Sequence, residues 1–124
     1  MLKKTLAIAL ICVAAPAFAD PVGMGKTAKG DTLVDPKGMT LYTFDKDTDG
    51  KSACTGVCAT NWLPLTAAAD AKPTGSWTVI DRGDASQNKQ WAYKGKPLYT
   101  WSKDTVPGDI GGDGFNGAWH VAQP

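Results

Sequence analysis

Leu41-Tyr42-Thr43-Phe44-Asp45-Lys46-Asp47-Thr48 returns 57 positions later as Leu98-Tyr99-Thr100-Trp101-Ser102-Lys103-Asp104-Thr105. Both stretches reduce to Tyr-x-aromatic-x-x-Asp. The register holds outward in both directions, for Lys37-Gly38 falls on Lys94-Gly95 and Trp62 falls on Trp119. A match that runs from the turn before each tyrosine to a tryptophan twenty residues beyond it marks an internal duplication.

Each copy reads as strands and turns. Thr32-Leu33-Val34 leads into Asp35-Pro36-Lys37-Gly38, with proline second and glycine fourth as a type I turn prefers. Met39 to Phe44 is the expected return strand. In the second copy Gln90 to Tyr93 should turn at Lys94-Gly95 into Pro97 to Trp101, with Pro97 marking a strand start or an edge. Ser76 to Asp81 and Ala118 to Ala122 supply further strands, and the Gly- and Asp-rich residues 102–117 form an ordered loop. No segment carries a helical stripe, and Ala67 to Ala71 offers one short turn at most. The expected fold is all-β: a small two-repeat antiparallel domain, sandwich-like or barrel-like, with pseudo-two-fold halves at about 22–65 and 77–122.

Alternate residues of a strand share a face, which pairs Tyr42 with Phe44 and Tyr99 with Trp101. A domain of this size builds its core from a few large rings, so these aromatics are expected inside. The alternative is that some of Trp62, Trp77, Trp91, Trp101 and Trp119 stay exposed as a stacking platform; alternation alone does not separate the two. Asp47 and Asp104 each follow the strand aromatic by three residues, where a carboxylate can accept backbone N–H bonds and fix the departing turn.

The first nineteen residues are of another kind. Lys3 and Lys4 precede an apolar run, Leu6 to Ala15, and Ala17-Phe18-Ala19 supplies a signal-peptidase pattern. The run is too short for a permanent membrane anchor. Cleavage after Ala19 and a periplasmic or secreted destination are expected. A lipid anchor on Cys12 is not, because Ile11 precedes it where a small residue is required. Removing 19 residues from 124 leaves 105, one domain spanning 20–124. Without Lys3 and Lys4, 11 cations face 12 aspartates and no glutamate. That balance argues against nucleic-acid partners, and no further apolar stretch approaches membrane-spanning length.

Cys54 and Cys58 remain after processing. Two cysteines in an exported chain favour a disulfide, and so small a ring contributes about 2 kcal/mol. The alternative, a catalytic redox pair, normally has two intervening residues and opens a helix; Thr55-Gly56-Val57 are three.

The motif pair, with Gly50-Lys51-Ser52-x-Cys54-x-Gly56-x-Cys58-Ala59 leading to Trp62 and Pro107-Gly108-Asp109 leading to Trp119-x-Val121, resembles a bacterial family. It is the secreted-repeat, or predicted-lipoprotein, family named for its Yx(FWY)xxD motif. The likeness spans nearly all the mature chain and implies an envelope protein without defining an activity. Some members are associated with alkane utilisation, which implies an envelope role of that kind. Many members carry a lipid-attachment cysteine; Ile11-Cys12 departs from that pattern.

Few residues suggest chemistry. Asp45-Lys46-Asp47-Thr48-Asp49-Gly50 opens like a calcium loop, but an EF-hand needs a glutamate where Gly56 stands. Asp45, Asp47 and Asp49 are thus candidates for a looser calcium site. His120, the only histidine, is a candidate transition-metal ligand without an evident partner set. No nucleophile-elbow sequence supports a hydrolase. The reading ranked first is an exported non-enzymatic module, without cofactor, that binds a small ligand or envelope partner. A metal- or redox-linked periplasmic protein ranks second, and a hydrolase last.

Overall fold

A computed structural model describes residues 23–83 and 88–124. The export segment, Cys12 and the cleavage site after Ala19 lie outside the described residues. The first copy contains β1 (Gly23–Thr27), β2 (Gly30–Val34), β3 (Tyr42–Phe44), the one-turn helix α1 (Val57–Asn61), β4 (Trp62–Pro64) and β5 (Thr66–Ala67). The second contains β6 (Trp77–Asp81), β7 (Lys89–Tyr93), β8 (Lys96–Pro97), β9 (Tyr99–Trp101) and β10 (Trp119–Val121). The architecture is all-β, with several antiparallel sheets and two repeat units.

The two copies are interleaved. The central sheet runs β10-β3-β9-β4, so each motif strand lies beside the other copy's motif strand and the other copy's tryptophan strand. Tyr42 pairs with Tyr99 at the centre. Trp119 pairs with Phe44 and Val121 with Tyr42 on one side; Trp62 pairs with Trp101 and Pro64 with Tyr99 on the other. A pseudo-dyad passes between the central tyrosines. The tails are exchanged as well: β5 of the first copy pairs with β7 of the second, while Ala122 of the second bonds Leu33 of the first.

Two closed rings of backbone hydrogen bonds mark where the sheets diverge. In one, Leu41 N–H donates to Leu33 O, Leu33 N–H to Ala122 O, and Ala122 N–H to Leu41 O, at 3.0, 2.9 and 2.8 Å. In the other, Leu98, Trp91 and Leu65 repeat the cycle at 3.1, 2.8 and 2.9 Å. Leu41 and Leu98 are fully buried there, so their amide groups need these partners. Leu33, Leu41, Leu98, Trp77 and Ala122 form one core cluster, and the motif aromatics form the other.

Three expectations are refined. Met39 to Phe44 is not one strand: Thr40 bridges Val34, and Leu41 leaves the ladder to join its ring before β3 begins. A helix does exist at Val57–Asn61, without a side-chain cap or buried residue; it is a single turn that starts at the end of the Cys54–Cys58 loop, too short to show periodicity. The β1 strand escaped notice because Gly-Met-Gly-Lys-Thr is mostly exposed and barely alternates. Pro97 to Trp101 is likewise not one strand: Leu98 leaves for its ring and β9 begins at Tyr99, while Pro97 ends the two-residue β8, where its missing N–H disrupts no ladder.

Candidate functional site

The motif joins one copy to the other. Tyr42 Oη donates to Asp104 Oδ2 at 2.6 Å, and Tyr99 Oη donates to Asp47 Oδ2 at 2.7 Å. The second oxygen of each carboxylate holds a departing loop: Asp104 Oδ1 accepts Gly111 N–H at 2.9 Å, and Asp47 Oδ1 accepts Ala53 N–H at 2.6 Å. Both tyrosines are fully buried. Burial, with the neighbouring carboxylate adding to it, pushes both phenols well above the ordinary tyrosine range. Burial also raises the Asp47 carboxyl, against the lowering effect of the Ala53 N–H, the Tyr99 hydroxyl and the Arg82 charge.

Inside this frame the aromatics form a column. Phe44 stacks on Trp119 at 4.2 Å between ring centroids, Trp119 on Trp62 at 3.8 Å, and Trp62 on Trp101 at 4.1 Å. Tyr42 meets Trp62 edge-on at 5.3 Å, and Tyr99 meets Trp119 likewise at 5.1 Å. The pseudo-dyad therefore runs between Trp62 and Trp119. Trp62 and Trp119 are each 3 % exposed and Trp101 is 8 %. The column is core, and the exposed stacking platform is not what these tryptophans build. Phe115 leans on Trp101 at 5.0 Å and is exposed.

Gly112 lets the loop close over the column. A Cβ there would collide with the Trp62 ring and lie 3.1 Å from Trp101 Cγ. Gly112→Ala is expected to destabilise the protein by about 1–3 kcal/mol, as overpacking does. Chemical denaturation checks this, and an unchanged midpoint would refute it.

Sequence reasoning missed a polar network on the first-copy side. Arg82, the only arginine, is buried. Its guanidinium donates to Gln90 Oε1 at 2.7 Å, Ser52 Oγ at 3.1 Å and Cys54 O at 2.5 Å. Ser52 Oγ lies 2.6 Å from Tyr99 Oη, and Gln90 Nε2 donates to Leu98 O at 2.7 Å. The network thus reaches from the motif tyrosine to the disulfide loop, where Cys54 and Cys58 are bonded. A buried charge is stable only when so paired. A lone arginine in an otherwise lysine-rich chain was the one available signal.

On the outer face of the central sheet the copies diverge. Two adjoining hollows, of about 290 and 310 Å3, share Thr43, Asp45, Lys94 and Lys96 as walls. Asp49 closes one end and His120 the other. His120 Nε2 lies 2.8 Å from Asp45 Oδ2, facing away from the buried Trp119 and Val121. Lys94 and Gly95 both have positive φ, 51° and 84°, which makes the tight primed hairpin turn between β7 and β8. Gly50 N–H donates to Gly95 O at 3.0 Å, and the Asp49 carboxylate rests against Gly95 where a side chain would stand. The loop after β3 is thereby fixed to that turn. Among the described residues neither Lys94 nor Lys96 forms an ion pair.

The related hollow across the pseudo-dyad, about 210 Å3, is walled by Thr100, Ser102, Lys37, Met39 and Leu63. Shifting by 57 positions sets Ser102 against Asp45, Met39 against Lys96, and Leu63 against His120. Both hollows carry charge, the second from Asp35, Lys37 and Asp104, but Asp45, Lys96 and His120 of the first are replaced there by Ser102, Met39 and Leu63.

Asp45, Asp47 and Asp49 line the same hollow, but their carboxylates have separate partners. Asp47 is engaged by Tyr99 and Ala53, Asp45 by His120, and Asp49 lies on the hairpin turn. Among the described residues no three or more His, Cys, Asp or Glu side chains group closely enough to hold a metal ion. The Tyr99 bond turns Asp47 inward.

No curated protein and no solved structure matches the chain. A family model, Lipoprotein_15, described as a secreted repeat of unknown function, matches residues 23–66 and again residues 78–123. Those segments correspond to the two interleaved copies, and the chain belongs to this family of secreted repeats.

Proposed function

We propose that this protein is an exported, non-enzymatic binding module of the bacterial envelope, freed by cleavage after Ala19, which takes a small polar ligand in the Asp45–Lys94–Lys96–His120 cleft. The observation that carries the reading is the asymmetry of the two hollows. The fold builds the equivalent hollow with Ser102, Met39 and Leu63, so it does not require charges at Asp45, Lys96 or His120. Two lysine ammonium groups that form no ion pair among the described residues, one of them lying 5.2 Å over the Tyr93 ring, suit an anionic group on the ligand, and Asp45 with His120 supplies an acceptor and a ring nitrogen beside it. Concave walls with a few convergent polar groups are the usual form of a small-molecule site. Among the described residues His120 is engaged by the Asp45 carboxylate rather than by a hydroxyl or thiol, which supports binding over catalysis.

Ligand-observed NMR against a library of small anions, zwitterions and neutral metabolites tests this. At least one anion or zwitterion is expected to bind the mature protein and to be lost in K94A/K96A. L63A, in the related hollow, should bind as the unaltered protein does. Binding that survives K94A/K96A, or a library without any binder, would overturn the assignment.

A further inference from the structure

The aromatic column has a property that packing alone does not require. Three indoles, Trp119, Trp62 and Trp101, lie in sequence at 3.8 and 4.1 Å, the first pair tilted by only 2°. Aromatic pairs in cores usually meet offset or edge-on; here a continuous π-stack crosses the pseudo-dyad. Two tyrosines touch the stack edge-on, Tyr42 at Trp62 and Tyr99 at Trp119. Each tyrosine hydroxyl already donates to a carboxylate, at 2.6 and 2.7 Å. Stacked indoles share a positive charge and are easier to oxidise than isolated ones. A tyrosine gives up an electron readily only when a base takes its proton at the same time, and a base within hydrogen-bond distance meets that condition.

We infer that Trp101, Trp62 and Trp119, with the pairs Tyr42–Asp104 and Tyr99–Asp47, form a one-electron relay that carries an oxidising equivalent through the core and holds it on a tyrosine. The inference stands apart from the binding cleft and does not depend on it. The oxidant is a one-electron acceptor of high potential, such as an oxidised metal complex or an oxygen-centred radical. It takes one electron from Trp101, the most exposed of the three indoles. Electrons from Trp62 and Trp119 refill it in turn, so the vacancy moves inward. Tyr42 or Tyr99 then supplies an electron to the stack while its hydroxyl proton passes to Asp104 or Asp47. The products are a neutral tyrosyl radical, a protonated carboxyl and an oxidant reduced by one electron. A small reductant of the thiol or ascorbate class returns one electron, the proton goes back to the phenolate oxygen, and the protein is restored. Net, one electron has passed from reductant to oxidant. Burial favours the protonated form of Asp47, in keeping with its place as proton acceptor.

Phe44 and Phe115 bracket the indoles at the two ends. Phenyl rings are far harder to oxidise than indoles, so they confine the charge to the three tryptophans. Trp77 and Trp91 belong to the other core and take no part.

Flash oxidation of the mature protein by a photogenerated ruthenium(III) polypyridyl complex, read by electron paramagnetic resonance, tests the relay. The unaltered protein is expected to show a tyrosyl radical, with W91F giving the same signal. Y42F/Y99F should lose the tyrosyl signal and leave a tryptophan radical in its place. D47N/D104N keeps both phenols but removes the proton acceptors, and should lose the tyrosyl signal too; it serves if the double phenylalanine variant fails to fold. A tyrosyl signal that survives Y42F/Y99F, and so sits on Tyr93, would overturn the proposal, as would one that survives D47N/D104N unchanged. Spin distributed over Trp77 and Trp91 as readily as over the column, with W91F diminishing it, would do the same. Neither result bears on ligand binding at Lys94 and Lys96.

Discussion

Trp62→Ala is expected to cost about 3–5 kcal/mol of folding stability, the range for removing a large buried aromatic, against a total of about 5–15 kcal/mol for a domain of this kind. Trp62 touches Trp119 and Trp101 face to face, Tyr42 and Phe115 at an angle, and lies under Gly112. Most of the wall cannot collapse into the space, because the rings of Tyr42, Trp101 and Trp119 are tied to strands in both copies. Trp119→Ala should cost a similar amount, for it stacks on Trp62 and Phe44 and meets Tyr99 edge-on. The two losses should not add, since the rings are in contact and each variant already removes their shared stack. Urea unfolding followed by circular dichroism measures all three variants without relying on the altered chromophore. A cost below about 1 kcal/mol for either ring would show that the column is not the centre of the core.

The interleaving explains why this effect should be global. Each copy's motif strand is flanked by strands of the other, and each copy's tail completes the other copy's hairpin. Neither half can close its own core. A defect at Trp62 therefore loosens both, and a single cooperative transition is the expected form of unfolding.

Much of this was legible in the sequence, for specific reasons. Tyr42 and Tyr99, Phe44 and Trp101, and Trp62 and Trp119 kept one spacing, and a spacing shared by core residues over so long a span survives only if both copies fold alike. Strand alternation correctly put His120 opposite Trp119. What the spacing could not reveal was partnership. Tyr42 could have bonded Asp47 of its own motif; in fact it bonds Asp104, because adjacent antiparallel strands bring the far end of the other motif alongside. The same limit applies to the cleft. Asp45 and His120 are 75 residues apart, and only the pairing of β10 with β3 brings them together. Arg82 was invisible as a structural residue because its partners, Gln90, Ser52 and the Cys54 carbonyl, come from three separate segments. The calcium-like spacing counts oxygens along the chain without saying which are already bonded, as Asp47 is to Tyr99 and Ala53.

The motif's tyrosines make a second strong prediction, for alkaline pH. An ordinary tyrosine ionises near 10.0, and both Tyr42 and Tyr99 are raised above that value in the folded protein, first by burial and then by the adjacent carboxylate. The unfolded chain therefore releases these two protons before the folded one does. Their contribution to stability is complete below about pH 10 and is lost as pH rises toward the folded values. Each phenol removes about 1.4 kcal/mol per pH unit once the unfolded form is ionised, so the pair removes about 3 kcal/mol per unit. Denaturant midpoints should fall steeply above pH 10, and the tyrosinate absorbance of Tyr42 and Tyr99 should rise only as the protein unfolds. Lysines also lose charge in this range, so the decisive comparison is with Y42F and Y99F. Each should be less stable at neutral pH, having lost a hydrogen bond to a carboxylate, yet show about half the alkaline slope contributed by the pair. The acid side should be gentler. Asp109, held by the N–H groups of Thr105 and Val106, is lowered and adds stability that disappears as pH falls. Asp47 is raised and acts in the opposite sense, favouring the folded state as it takes a proton. An alkaline limb of equal steepness in Y42F/Y99F and the unaltered protein would mean that the two phenols do not link the copies as the geometry requires.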